Sequence, residues 1–230
     1  MILFCLPYAG GSESIYYNWK EHINSSIILE AIELKGRGKR FSEDLYKDFE
    51  EAVDDILLNI KNKIMHHEYA IWGHSLGSLF AFELYYKICK ENIKKPKHIF
   101  FSGSAAPSIM RKQKKIHMLP DDDFINEIVK LGGTPKEVLE NKELLQLVIP
   151  ILRNDMRISE SYNYKEKSNK IACDITVFRG KDDDITLEEL LAWKNHCSGD
   201  FKAHTLDGNH FFINNNIESI ASIINSTLKN

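Results

Sequence analysis

A mainly parallel α/β sheet with helices on both faces is predicted by three features of the sequence. Short β-rich runs alternate with longer helical stretches. The 230 residues, 43% hydrophobic and 27% charged, suffice for one large buried core. A Gly-x-Ser-x-Gly turn, Gly73-His74-Ser75-Leu76-Gly77, lies where an apolar run gives way to a helix-like stretch. Strands separated by helices need crossover connections, which makes the sheet parallel and places its sites at the carboxyl ends of the strands.

The elements follow in order. Ile2 to Leu6 reads as a strand that turns at Pro7 into the loop Tyr8-Ala9-Gly10-Gly11-Ser12, and Ile27 to Leu34 reads as the second strand. Phe49, Ala52, Val53, Ile56, Leu57, Ile60 and Ile64 then recur at helical spacing, burying one stripe and leaving Glu50, Asp54 and Lys61 in water. Tyr69 to Trp72 is a strand, the serine turn follows, and a helix runs on through Leu79-Phe80-Ala81-Phe82-Glu83. His98 to Ser102, Ile175 to Arg179 and Phe201 to Leu206 complete the strands, and Ile217, Ile220, Ala221, Ile224 and Leu228 mark a closing helix. One domain spanning 1–230 is expected. From about Ala105 to about Lys170 the alternation breaks: only helical segments are visible, around Phe124 to Leu131, Lys136 to Leu139 and Leu144 to Leu152. This stretch reads as an inserted helical lid, with Gly132-Gly133-Thr134-Pro135 ending one helix and starting the next.

The serine turn carries the chemistry. A serine hydroxyl is a weak nucleophile at neutral pH and needs a base beside an exposed, strained turn; the flanking glycines let strand and helix approach closely. The same turn directs the Leu76 N–H toward the space where a tetrahedral oxyanion would form. A second donor is expected from the glycine loop after the first strand, with the Tyr8 amide the candidate. Its Gly10-Gly11 pair has neither G-x-G-x-x-G spacing nor a P-loop lysine, which argues against nucleotide binding. Of the nine histidines, His210 alone sits in a loop directly after the last predicted strand, so it is the candidate base. His74 adjoins the serine but points elsewhere and reads as packing or hydrogen bonding, while His22, His66, His67, His117, His196 and His204 read as surface or helix-end residues. Chain order serine, acid, histidine directs the search for the carboxylate to Asp182-Asp183-Asp184. Periodicity does not separate these three.

Composition narrows the classes. Thirty basic against thirty-three acidic side chains give a net charge of -3, which provides no global field for nucleic acid or an anionic bilayer. Cys5, Cys89, Cys173 and Cys197 form no C-x-x-C pair, so neither a metal site nor a disulfide scaffold is expected, and reduced thiols in a cytoplasm fit best. The amino terminus has no basic n-region and too few apolar residues for a secretory signal or membrane span. A monomer is the default.

Together, Cys5-Leu6-Pro7-Tyr8-Ala9-Gly10-Gly11, Lys35-Gly36-Arg37-Gly38-Lys39-Arg40, Trp72-Gly73-His74-Ser75-Leu76-Gly77, Leu119-Pro120-Asp121-Asp122, Leu131-Gly132-Gly133-Thr134-Pro135, Leu152-Arg153-Asn154-Asp155, Gly180-Lys181-Asp182-Asp183 and Gly208-Asn209-His210-Phe211-Phe212 resemble the type II thioesterases of non-ribosomal peptide and polyketide synthesis, a branch of the α/β-hydrolases. The resemblance spans nearly the whole chain. It departs from the family pattern at Lys35, where proline is common, and at Asn209, where glycine is frequent. It implies that the triad acid, which closes a glycine, two residues, aspartate pattern, is Asp183, alongside Ser75 and His210. It also implies removal of stalled acyl groups from the phosphopantetheine arm of acyl or peptidyl carrier domains, with no cofactor of the enzyme's own. The basic run Arg111-Lys112-Gln113-Lys114-Lys115 would then be a candidate docking surface for an acidic carrier domain. A carboxylesterase or lipase, a medium-chain fatty acyl-carrier thioesterase, and an interaction protein with a vestigial site are the competing readings.

Overall fold

Hydrophobic runs Ile2–Leu6 (β1), Tyr69–His74 (β3) and His98–Ser102 (β4) are buried along their whole length, the signature of strands covered on both faces. In the computed structural model, which describes residues 1–109, 114–134 and 136–229, they form the middle of a six-stranded sheet. Ile28–Ala31 (β2), Asp174–Gly180 (β5) and Phe201–Leu206 (β6) complete it in the order β2-β1-β3-β4-β5-β6, every pair parallel. The strand order reverses direction at β1, and the site forms beyond the carboxyl ends of β1, β3, β5 and β6.

Helices on the two faces divide the core. On one face Phe49–His66 (α1) and Leu76–Lys90 (α2) cover Phe4, Ile71 and Phe101; on the other Ile217–Thr227 (α7) covers Leu3, Trp72 and Phe178. Asp48 caps α1 by accepting the Glu51 N–H at 2.8 Å, and the predicted apolar stripe from Ala52 to Ile64 is the buried one.

Between β4 and β5 the described chain is helical: Asp121–Leu131 (α3), Lys136–Glu140 (α4) and Lys142–Ser161 (α5). Three aspartates occupy the first turn of α3, where the helix dipole favours negative charge, and Gly132 ends it at φ +82°. Pro135 lies outside the described residues, as do Arg111, Lys112 and Gln113 of the basic run.

Several boundaries differ from the sequence expectation. β2 stops at Ala31 instead of Leu34 because, as an edge strand, it has only β1 to pair with, and β1 offers it partners from Ile2 to Cys5. The helix after the serine turn starts at Leu76, three residues before the apolar run that announced it. α5 runs to Ser161, nine residues past Leu152, carrying Pro150 within it. Between the last two strands a short helix, Leu187–Leu191 (α6), begins at a Thr186/Glu189 capping box.

Candidate active site

The turn after β3 is made possible by its two glycines. A Cβ on Gly73 would collide with the Gly77 carbonyl, and one on Gly77 with the Leu6 and Pro7 carbonyls at the end of β1. Ser75 between them holds φ 55°, ψ -116°, a conformation costing on the order of 1–3 kcal/mol for a non-glycine residue. Hydrogen bonds hold the strain in place. Ser75 N–H donates to the Ser102 carbonyl at 2.7 Å, and the buried Ser78 hydroxyl bridges the carbonyls of Gly73 and Ser102 at 2.7 and 2.9 Å.

His210 and Asp183 reach this serine from loops that must themselves touch. A Cβ on Gly180 would strike the carbonyls of Gly208 and Asn209, so the absence of a side chain there lets the acid loop lie against the histidine loop. Lys181 N–H to Leu206 O at 2.7 Å and Asp182 N–H to Gly208 O at 2.9 Å join them. The result is a series: Asp183 Oδ2 lies 3.0 Å from His210 Nδ1, and His210 Nε2 lies 3.0 Å from Ser75 Oγ. Asp183 is buried, at 3% side-chain exposure, and its other oxygen accepts the Ile185 N–H; His210 remains 28% exposed, open to a proton donor or water. Of the three consecutive aspartates, Asp183 is the one bonded to His210.

Leu76 is the first residue of α2, so its N–H has no acceptor within the helix. The loop carrying Tyr8 lies against the same turn, the Tyr8 ring packing edge-on to His74 at 5.7 Å and to Phe211 at 5.0 Å.

His74 lies beside His210, ring centroids 5.3 Å apart, but is fully buried with Nδ1 on the Ser102 hydroxyl at 2.8 Å. Burial first, and the neighbouring His210 second, hold its pKa well below the ordinary histidine value. A second positive charge beside His210 is thereby avoided. His204 corrects the sequence reading, and His196, a helix-end residue as expected, is less exposed than a surface position. His196 closes a helical turn but is buried on the Ser108 hydroxyl at 2.8 Å, and His204 is half-buried, stacked on Phe178 at 5.2 Å. Burial lowers the pKa of both.

Ser75 and His210 open onto a cavity of about 690 Å³ also lined by Ala106, Ile109, Leu131, Ser159, Glu160 and Tyr162. Among the described residues no group of three metal-ligating side chains occurs, and no helix is long and apolar enough to cross a membrane.

Two residues that sequence reasoning left without a role meet beneath the glycine loop. Arg37 and Asp155, 4% and 1% exposed, form a bidentate ion pair at 2.6 and 2.8 Å. The signal was present: Asp155 is a charge on the α5 face that otherwise buries Ile151, Leu152 and Ile158.

The parallel sheet, the strained serine turn and the chain order serine, aspartate, histidine define a member of the α/β-hydrolase class. Within it, the thioesterase domain family matches residues 1–228, and the chain belongs to that family. The linear gramicidin dehydrogenase LgrE of Brevibacillus parabrevis is 36% identical, over 100% of this chain and 88% of its own. The crystal structure of ClbQ from the colibactin NRPS/PKS pathway superposes with a TM-score of 0.94 at 37% identity, covering 99% of this chain and 96% of ClbQ. BorB, a type II thioesterase from the borrelidin biosynthetic cluster, gives a TM-score of 0.90 at 30% identity, covering 99% of this chain and 92% of BorB.

Proposed function

We propose that this protein is an editing, type II thioesterase that hydrolyses acyl groups from the phosphopantetheine arm of acyl or peptidyl carrier domains in non-ribosomal peptide or polyketide synthesis. The observation that carries the reading is the hydrogen-bonded series Asp183, His210, Ser75 at the mouth of a cavity of about 690 Å³. Ser75 Oγ attacks the thioester carbonyl while His210 Nε2 takes its proton, and Asp183 holds the imidazole with Nδ1 protonated. The N–H groups of Leu76 and Tyr8 receive the developing oxyanion. The thiol departs, and a water activated by His210 then releases the acid. A thiol, with a pKa of about 8.5, leaves with less acid assistance than an amine.

The enzyme needs no cofactor of its own in this cycle, because the pantetheine arm belongs to the partner. The four free cysteines suit a reducing compartment such as the cytoplasm. Residues 1–230 act as one domain and a monomer, with the insertion of about 105–170 as a lid over the acyl chain. One relative is named a dehydrogenase, but here the glycine loop is a poor dinucleotide cradle: Leu152 fills the space over Gly10 and Ile15 that over Gly11.

A panel of acyl groups carried on a carrier domain, on free pantetheine and as matched oxygen esters tests the reading, with the mass of the released carrier as readout. Faster release from the carrier than from pantetheine is expected. A strong preference for oxygen esters would overturn the assignment in favour of a carboxylesterase.

A further inference from the structure

The glycine loop that supplies the Tyr8 amide is held from below. Gly10 N–H donates to Asp155 Oδ2 at 2.7 Å, and Arg37 Nη1 donates both to the Gly11 carbonyl at 3.0 Å and to Asp155 Oδ2 at 2.6 Å. Arg37 Nη2 closes the ring on Asp155 Oδ1 at 2.8 Å. One carboxylate and one guanidinium thus bind two successive residues of the loop. Gly10 has φ +78° and a Cβ there would meet Leu152, one turn before Asp155 on α5, so the loop lies directly on that helix.

Arg37 is brought to this place by a tight turn in which Gly36 and Gly38 both have positive φ and a Cβ on Gly38 would collide with Glu33. Burial works against the Arg37 charge, and Asp155 more than offsets it, raising the guanidinium pKa above its ordinary value. The same helix continues one turn further into Ser159 and Glu160, which line the cavity beside Ser75. α5 therefore has one turn under the oxyanion loop and the next on the acyl cavity.

We infer that Arg37 and Asp155 are positioning residues of the reaction: the pair holds the loop so that its N–H is aimed at the oxyanion, and ties that aim to the seating of α5. The inference rests on the oxyanion role assigned to this loop. A buried charge pair is a costly way to obtain stability alone, since apolar pairs of similar volume often do as well. Its value here is orientational. Charge-assisted bonds with fork geometry fix both distance and angle, whereas apolar packing would let the loop slide.

Four proteins test this: wild type, Asp155→Asn, Arg37→Lys, and the double variant Arg37→Met/Asp155→Leu. Each is assayed for melting temperature, for kcat and KM on a small acyl N-acetylcysteamine thioester, and for affinity toward an alkyl boronic acid, whose tetrahedral Ser75 adduct places an oxygen in the oxyanion site. The two single variants are expected to lose about 10- to 100-fold in kcat. Boronate affinity should fall in parallel, with KM changing less than about threefold. The apolar double variant should regain the melting temperature and leave kcat and boronate affinity low. Recovery of both stability and kcat in it would reduce the pair to a structural role and overturn the inference. So would single variants that melt early yet keep wild-type kcat at lower temperature. A wild type indifferent to the boronate would instead remove the oxyanion reading itself, and this inference with it.

Discussion

The sheet and the helical insertion between β4 and β5 are built to different standards. In the sheet, Ser75, Asp183 and His210 are fixed by backbone: a parallel register, glycines that permit carbonyl contact, and loop-to-loop hydrogen bonds. In the insertion a small buried cluster, Ile116, Phe124, Ile128 and Leu152, joins α3 to α5, while Val129, Leu131, Leu144 and Leu147 remain exposed. Side-chain clamps supplement it. Arg153 stacks on Phe124 at 4.2 Å and gathers the carbonyls of His117 and Leu119, and Arg157 ties α5 to the carbonyls of Tyr46 and Lys47. The Asp183, His210, Ser75 series sits on the sheet, whereas Leu131, Ser159 and Glu160 of the cavity lining belong to the insertion.

This contrast can be broken first at the serine. Ser75→Ala is expected to lower kcat by about 10⁶-fold, and Asp183→Asn by about 10⁴-fold through loss of the correct imidazole tautomer, without altering the melting temperature. Steady-state hydrolysis of a carrier-bound thioester measures both, and wild-type-like turnover by either variant would reassign the site.

A cut into the insertion should act differently. Phe124→Ala removes the centre of its cluster, a loss of about 3–5 kcal/mol in local stability. The expected outcome is rapid protease cleavage within α3–α5 while scaffold amides keep their hydrogen-exchange protection; equal loss in both parts would show that they unfold as one unit.

Acid should weaken the scaffold before its carboxylates titrate. His98, buried with Nε2 on the Thr176 hydroxyl at 2.8 Å, has its pKa pushed down by burial from 6.5 to about 4. Between these values the unfolded chain binds a proton that the fold refuses, so the stabilisation is complete above pH 6.5 and is lost as pH falls toward 4. The loss amounts to on the order of 3 kcal/mol at this residue. Denaturant midpoints from pH 7 to 4 should decline in the wild type and decline less in His98→Leu/Thr176→Val.

The smallest effect belongs to the surface of the insertion. Lys115 is exposed at the cavity rim, and Lys114, also exposed, pairs with Glu127 at 2.8 Å. Reversing both charges should raise KM for a carrier-bound acyl group by a few fold and spare a small thioester. Equal changes on both substrates would detach these lysines from carrier docking.

The fold class and the buried stripe of α1 follow from residue patterns, because short apolar runs alternate with an amphipathic helical period, whereas the strand order β2-β1-β3-β4-β5-β6 emerges only in the folded sheet. Boundaries were harder to read where tertiary partners set them: β2 ends after Ala31, the partner of Cys5 on β1, and the buried face of α5 continues past Leu152 to Ile158 with the charged Asp155 between them, paired to Arg37. The burial of His196 and His204 was not legible because imidazole is compatible with both water and a hydroxyl or aromatic neighbour.

By itself the sequence determined the fold class, the strained turn at Ser75 and the types of side chain that serve it, since those depend on spacing along one chain. Tertiary structure decided how Asp183, which residue spacing alone did not separate from its two neighbours, meets His210, and that Arg37 and Asp155, 118 residues apart, close beneath one loop. Such choices turn on the direction of a side chain within a few ångströms, which no linear period encodes.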